Sequence, residues 1–139
     1  MKSPLLLFAL KCSIILYFAA CSGIADYSKT VSATPQVTKG SWKVKLFIDA
    51  NKDQTTGIAG YALTFDPDGK IIASKNGTVI RGNWSEDEIL KRITINLETK
   101  DPDLTKLNAY WSISAVTKTG VSFQNTKNPL SSRLQITSL

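Results

Sequence analysis

Hydrophobic and polar residues alternate in short runs from residue 39 to the end of the chain. In the first run every second residue from Trp42 to Ile48 is apolar, and this period of two is typical of a β-strand with one buried face. Eight such runs follow one another, and each predicts a strand. The runs cover residues 42–48, 61–65, 71–74, 78–84, 90–98, 109–117, 121–125 and 133–139.

Turn residues separate most of these runs. Pro67 and Gly69 are suited to a tight turn within residues 66–69, and Asn76-Gly77 is typical of a two-residue hairpin. Residues 99–108 form a long connection, with a single helical turn predicted from Asp101. Short connections make strands that are adjacent in sequence pair with each other. The sequence therefore predicts an all-β fold, an eight-stranded antiparallel up-and-down meander closed into a barrel. A β-sandwich is the alternative.

A different pattern precedes the predicted strands. Residues 1–20 combine basic, apolar and small residues in the order of a secretory signal peptide, and Lys11 divides an apolar stretch too short for a membrane span. Residues 18–21, Phe-Ala-Ala-Cys, resemble the lipobox of bacterial lipoproteins. That resemblance implies cleavage before Cys21, whose thiol and new amino group then carry diacylglycerol and an acyl chain such as palmitate. A signal peptide cut near Ala20 without lipidation is the alternative.

The same pattern divides the chain into three parts. Residues 1–20 are the predicted signal peptide, residues 21–38 a lipidated tether, and residues 39–139 the barrel domain. Serine, threonine and alanine dominate the tether, which predicts a flexible coil, with an ordered N-terminal strand as the alternative. Few charges follow Cys21. In the lipoproteins that it resembles, this favours a lipid-anchored protein of the bacterial outer membrane that faces the periplasm.

The composition excludes several classes of site. The chain has no histidine, so histidine zinc sites, Ser-His-Asp triads and Cys-His pairs are ruled out. Cys12 would leave with the signal peptide and Cys21 would be acylated, which leaves no thiol for a disulfide or a nucleophile. The formal net charge is +6, but the basic residues are scattered rather than clustered as in a nucleic-acid reader. We expect a monomeric protein that is neither an enzyme nor a nucleic-acid binder.

Gly40-Ser41-Trp42 opens the first predicted strand, and here the sequence resembles the lipocalin superfamily. The likeness extends over residues 38–139 to the small lipocalin-like lipoproteins of Bacteroidetes, supported by residues 61–65, 68–69, 82–84 and 134–136. In lipocalins the Gly-x-Trp tryptophan plugs one end of the barrel, and an arginine often stacks on it, a role for which Arg133 is the candidate in this sequence. The resemblance implies a ligand-binding barrel without catalysis. Its candidate ligand-binding residues are Trp42, Tyr61, Trp84, Trp111 and Arg133.

The interior of such a small barrel has two interpretations. Eight strands enclose a space that side chains can fill or that can hold one small ligand. A residual pocket lined by Trp42, Tyr61 and Trp111 would bind a small hydrophobic ligand or an envelope component. A filled interior would instead make the protein a structural or protein-interaction module, with an exposed apolar patch around Phe47. The residues predicted to point inward are Trp42, Leu46, Tyr61, Phe65, Trp84, Ile95, Trp111 and Phe123.

One connection has the spacing of a metal loop. Asp49, Asn51, Asp53 and Thr55 place oxygen atoms at alternate positions, as calcium loops do. Gln54 replaces the turn glycine of such loops, and the bidentate glutamate is missing. The alternative is a polar hairpin loop in which the side chains bond the local backbone, and we favour it. We therefore expect no metal and no cofactor other than the lipid.

Overall fold

A computed structural model describes residues 32–139 of the chain. The predicted signal peptide, Cys21 and residues 21–31 of the tether lie outside the described residues. Within residues 32–139, no helix is long and apolar enough to span a membrane.

Nine strands form one antiparallel sheet in the described part of the chain. Their order is β2-β1-β3-β4-β5-β6-β7-β8-β9, and a further pairing of β1 with β9 closes the sheet. The strands are β1 (Ser41–Asp49), β2 (Lys52–Asp53), β3 (Ala62–Phe65), β4 (Lys70–Lys75), β5 (Thr78–Asp87), β6 (Arg92–Leu97), β7 (Ala109–Val116), β8 (Gly120–Asn125) and β9 (Arg133–Ser138).

The predicted eight-stranded antiparallel meander is confirmed as a closed barrel. Strand β1 pairs with β3 through its first residues and with β9 along most of its length, from Trp42 opposite Ser138 to Ile48 opposite Arg133. The additional strand, β2, has two residues and pairs only with the end of β1. The predicted hairpin turn at residues 76–77 is also confirmed, since Asn76 and Gly77 both have positive φ angles.

A β-bulge in β1 changes which of its residues face the core. The pairing of β1 with β9 shifts register between Val44 and Leu46, so one extra residue, Lys45, is inserted. As a result Phe47 is fully buried and Leu46 is only half-buried. The prediction of an exposed apolar patch around Phe47 was therefore wrong. Strict alternation of inward and outward side chains predicts that Phe47 points away from the core. Alternation fails here because the bulge interrupts the pleat of the strand.

The barrel has two ends, defined here by the connections that meet at each. The proximal end holds the start of β1, the last residue of β9 and the turns at residues 66–69, 88–91 and 117–119. The distal end holds the turns at residues 50–51 and 76–77 and the longer connections at residues 98–108 and 126–132.

A short helix, α1 (Thr34–Val37), closes the proximal end. Ala33 and Val37 are fully buried, and the indole N–H of Trp42 donates a 2.7 Å hydrogen bond to the Val37 carbonyl. Pro35 fits the first turn of this helix because its missing N–H would have no partner there. The packed domain therefore begins at about Ala33, whereas the sequence had assigned residues 33–38 to the tether.

Two other segments close the distal end. They are helix α2 (Thr55–Ile58), which follows β2, and the 3₁₀ turn Leu104–Leu107, which lies between β6 and β7. Ile58 and Leu107 are fully buried. The Lys106 ammonium links the two segments through a 3.2 Å hydrogen bond to the Gln54 side-chain oxygen. Both ends of the barrel are therefore covered by short helical elements.

Candidate functional site

The three tryptophans among the predicted ligand-binding residues belong to the core. Trp42, Trp84 and Trp111 expose 0%, 6% and 1% of their surface. Each indole N–H is also satisfied by a backbone carbonyl, because Trp84 donates to Asp66 at 2.9 Å and Trp111 donates to Leu107 at 2.9 Å. A buried tryptophan that has its hydrogen bond has no polar group left for a ligand.

Aromatic contacts fill the space around these rings. Phe47 meets Trp111 edge-on with ring centroids 6.2 Å apart, and Phe65 meets Trp84 edge-on at 5.4 Å. These separations lie in the favourable range for T-shaped packing. The interior positions that were candidates for a pocket are therefore occupied by contacts between side chains of the protein itself.

Arg133 lies far from Trp42, so it does not stack on that ring. It is exposed at the start of β9 and pairs across the sheet with Ile48 at the distal end. Trp42 pairs with Ser138, the last residue of β9, and five residues of strand span about 17 Å. The role that the lipocalin resemblance implied for Arg133 is therefore wrong, because the barrel places the two residues at opposite ends.

Tyr61, another of the predicted ligand-binding residues, lines an open groove. It is half-buried, and the Lys75 ammonium sits 5.2 Å from its ring centroid. The groove has a volume of about 410 Å³ and lies on the outer surface where β3 pairs with only the first part of β1. We call it the seam groove. It is lined by Lys43, Val44, Lys45, Ala59, Gly60, Tyr61, Ala62 and Leu139.

The candidate calcium residues form a hairpin. Ala50 and Asn51 have φ angles of 49° and 63°, which is typical of a type I′ turn, and the turn joins β1 to β2. Asp49 accepts a hydrogen bond from the Ser132 hydroxyl at 3.1 Å. The Asp53 carboxylate accepts the Thr55 N–H at 2.9 Å.

The aspartates of that hairpin are thus engaged within the fold. Hydrogen bonds from the side chain and the backbone N–H of Thr55 lower the pKa of Asp53. Residues 32–139 contain no group of three or more acidic, cysteine or histidine side chains arranged to hold a metal ion. These residues form a hairpin in which Asp53 bonds the local backbone and Asp49 bonds the Ser132 side chain.

A second open site lies at the distal end, and we call it the polar cleft. Its volume is about 330 Å³. Neither this cleft nor the seam groove is lined by a tryptophan. The residues that line the polar cleft are Asp49, Thr105, Lys106, Asn108, Ala109, Tyr110, Asn125, Thr126, Lys127 and Asn128.

The walls of the polar cleft are fixed by hydrogen bonds. The Asn125 side-chain oxygen accepts the backbone N–H groups of Lys127 and Asn128 at 2.9 and 3.3 Å. The Asn108 carboxamide bonds the backbone of the end of β6 in both directions, at 2.6 and 2.9 Å. The Tyr110 ring is exposed along one wall. The cleft therefore presents a preformed surface rich in hydrogen-bonding groups.

Glu86 has a structural role that the sequence analysis did not predict, because it lies between the predicted strands at residues 78–84 and 90–98. Its carboxylate, near the end of β5, accepts the backbone N–H groups of Ala33 and Thr34, each at 2.8 Å. The Ser32 hydroxyl donates to it at 3.0 Å, and the Thr34 hydroxyl donates as well. The available signal was the strand period, because Glu86 shares the inward face with Trp84. A carboxylate on that face needs a partner.

Two effects act on the pKa of Glu86. Partial burial raises the pKa, but hydrogen bonds from Thr34 and the two residues before it outweigh burial, and the pKa lies below its ordinary value. The carboxylate is therefore ionised at neutral pH. It holds the N-terminal segment of the described chain against the barrel.

Solved structures with a similar fold come from Bacteroides. A DUF4847 family protein from Bacteroides vulgatus matches with a TM-score of 0.59 at 15% identity, covering 78% of this chain and 98% of that protein. A lipocalin-like protein from Bacteroides uniformis matches with a TM-score of 0.54 at 14% identity, covering 73% and 98%. No family model and no curated protein matches the chain. These likenesses confirm the predicted lipocalin-like barrel fold and extend to the fold alone.

Proposed function

We propose that this chain is a lipid-anchored envelope lipoprotein that binds another envelope component through the outer surface of a filled barrel, without catalysis. One observation carries the proposal. The three tryptophans that would line an interior pocket are buried with satisfied indole N–H groups, and helical elements cover both barrel ends. An interior ligand would have to displace this packing, since protein cores leave few voids.

The polar cleft is the proposed contact surface. It lies at the distal end, whereas the described chain begins at the proximal end, where Ser32 bonds Glu86. A chain tethered through Cys21 would therefore present the cleft away from its attachment point. The absence of histidine from the sequence supports a role without catalysis.

Lipidation is tested by Cys21→Ser in the full chain. We expect the wild-type protein to incorporate an alkyne analogue of palmitate and to sediment with the outer membrane, facing the periplasm. The Cys21→Ser variant should do neither. Cys12→Ser is the matched control and should behave as wild type, because Cys12 would leave with the signal peptide. Wild-type protein that is unlabelled and found in the soluble fraction would contradict the anchoring.

The contact surface is tested by photo-crosslinking in intact cells. A photoreactive amino acid at Lys127, in the polar cleft, should yield a discrete crosslinked adduct with an envelope component. The matched position is Lys100, an exposed lysine at the same distal end that does not line the cleft. Adducts that form at position 100 and not at position 127 would place the contact elsewhere and contradict this assignment.

The seam groove favours a second function, the binding of a small apolar or amphipathic ligand. The groove includes Tyr61, and the adjacent Lys43 and Lys45 could meet an anionic head group. Native mass spectrometry of the protein purified from its membrane, with dye displacement, tests this function. Tyr61→Ala should abolish binding, and Val79→Ala, at an exposed residue of β5 that lines neither the seam groove nor the polar cleft, serves as the control. Absence of any bound or bindable apolar compound would exclude it.

A further inference from the structure

The tip of the β5–β6 hairpin exposes two adjacent large apolar side chains. Ile89 is 91% exposed and Leu90 is 55% exposed. The tip is an ordered turn, because the Leu90 N–H donates a 2.9 Å hydrogen bond to the Asp87 carboxylate and Lys91 adopts a φ of 51°. The turn therefore holds both side chains outward, and burial of such surface elsewhere would be favourable.

The tip lies next to the place where the N-terminal segment meets the barrel, and this position indicates what the tip contacts. Glu86, three residues before Ile89, accepts the hydrogen bonds of Ser32 and Thr34. The chain that arrives from Cys21 thus meets the barrel at the base of the same hairpin. Ten residues separate Cys21 from Ser32. Even fully extended, the connection spans at most roughly 40 Å, so a membrane that holds Cys21 lies within reach of the tip.

We propose that the β5–β6 hairpin tip, Ile89 and Leu90, docks into the membrane surface that carries the lipid anchor. The inference rests on the proposed lipidation of Cys21. A lipid interface accepts exposed apolar side chains next to a covalent lipid, and each adds to the retention that the lipid provides. We choose a bilayer rather than a protein as the partner of the tip, because the tether from Cys21 would hold the proximal end of the barrel close to the membrane.

Charge at the proximal end permits this contact. Lys91 follows the tip directly, and Lys118 lies in the neighbouring turn between β7 and β8. The Lys118 carbonyl accepts a hydrogen bond from the side-chain amide of Gln36 in the N-terminal segment. Lysines at this height can meet anionic head groups. Glu88, in the same turn as Ile89 and Leu90, carries the opposite charge. We therefore assign the attraction to the membrane to the two apolar side chains rather than to net charge.

Docking at the tip would also orient the barrel. Strand β5 has ten residues, which span about 33 Å, so its two ends differ greatly in height if it stands away from the membrane. The polar cleft would then face the aqueous compartment. An anchor without docking would leave the barrel free to tumble on its tether.

The experiment uses the full lipidated chain with one introduced thiol. Ile89→Cys and, as the matched control, Leu130→Cys are each labelled with an environment-sensitive nitrobenzoxadiazole dye, Cys21 being acylated. Leu130 suits this comparison because it is 95% exposed and lies at the distal end. Both proteins are reconstituted into phosphatidylethanolamine–phosphatidylglycerol vesicles, with and without spin-labelled phospholipid as quencher.

We expect dye emission at position 89 to shift to shorter wavelength in vesicles and to be quenched severalfold by the spin-labelled lipid. Emission at position 130 should remain that of a dye in water. Vesicle-bound protein with water-like emission at both positions would overturn the docking and leave the lipid anchor standing. Chains that lack lipid and do not sediment with vesicles would overturn the anchor and, with it, the docking.

Discussion

The two ends of the barrel are closed in different ways. At the distal end the covering segments lie between strands, and Ile58, Leu104 and Leu107 are buried by them without exposure. At the proximal end the cover is the N-terminal segment, whose first residues are held by one carboxylate, Glu86. Both covers contribute side chains to the core, the proximal one through Ala33 and Val37. The proximal cover combines apolar contacts at Val37 with polar contacts that can be titrated.

This difference teaches where the fold can open. Removing a cover built from core residues exposes apolar surface and weakens the whole barrel. Releasing a cover held by hydrogen bonds near the surface frees groups that water can partly satisfy. Local opening with a lower free energy is therefore expected at the proximal end. That end also carries Ser32, the first residue that the structure describes.

The largest expected effect is at the distal cover. Leu107→Ala should lower the free energy of unfolding by about 2–5 kcal/mol, because it removes a fully buried side chain and leaves a cavity in the core. Denaturant titration measures this change. Leu90→Ala is the matched control, since the same substitution at an exposed leucine should change stability by less than about 0.5 kcal/mol. Similar losses at the two positions would contradict the view that the distal cover belongs to the core.

A smaller effect is expected at the proximal cover. Glu86→Gln should destabilise the N-terminal segment by about 1–2 kcal/mol, because a neutral amide replaces a charged acceptor of several hydrogen bonds and the site is partly hydrated. Hydrogen exchange should report faster exchange at the Ala33 and Thr34 amides, with little change in β7. Glu88→Gln, on an exposed residue of the same hairpin, should leave those amides unchanged.

The sequence predicted most of the fold because strand periods and turns are local signals. Alternation placed Trp84 and Trp111 inside, and the hairpin at Asn76 was recognised from two residues. The bulge at Lys45 could not be predicted in the same way, because it depends on how β1 pairs with β9 about ninety residues later. That single insertion exchanged the expected roles of Leu46 and Phe47.

The sequence was less informative about the functional surface. Helix α1 was missed because the serine, threonine and proline in and before it resemble a linker. Its order depends on Glu86, which lies 52 to 54 positions further along the chain. The filled interior was one of two open interpretations. It depends on side-chain volumes and on covers at both ends, and residue types alone do not give these.

The proximal cover should also loosen in acid. The pKa of Glu86 lies below its ordinary value of 4.5, so the stability that its carboxylate contributes is present above that value and is lost as pH falls through the lower folded pKa. Protection of the Thr34 amide, corrected for intrinsic exchange, should fall below about pH 4.5. In the Glu86→Gln variant, which has no carboxyl group at this position, protection of the Thr34 amide should not depend on pH in this way. Asp53 also has a lowered pKa, but it lies at the distal end, so residue-resolved exchange separates the two.

The smallest expected effect tests how tightly the distal segments meet. A Cβ atom at Gly57 of α2 would lie 2.5 Å from an Asp103 carboxylate oxygen, so Gly57→Ala must displace that side chain from its 3.3 Å contact with Lys106. That ion pair is partly exposed and worth at most about 1 kcal/mol, and alanine regains about 0.5–1 kcal/mol over glycine in a helix. Gly57→Ala alone should therefore be nearly neutral, whereas in an Asp103→Ala background it should stabilise by about 0.5–1 kcal/mol. Thermal unfolding of the four proteins gives the coupling. Additive effects would show that α2 and the 3₁₀ turn do not meet at this point.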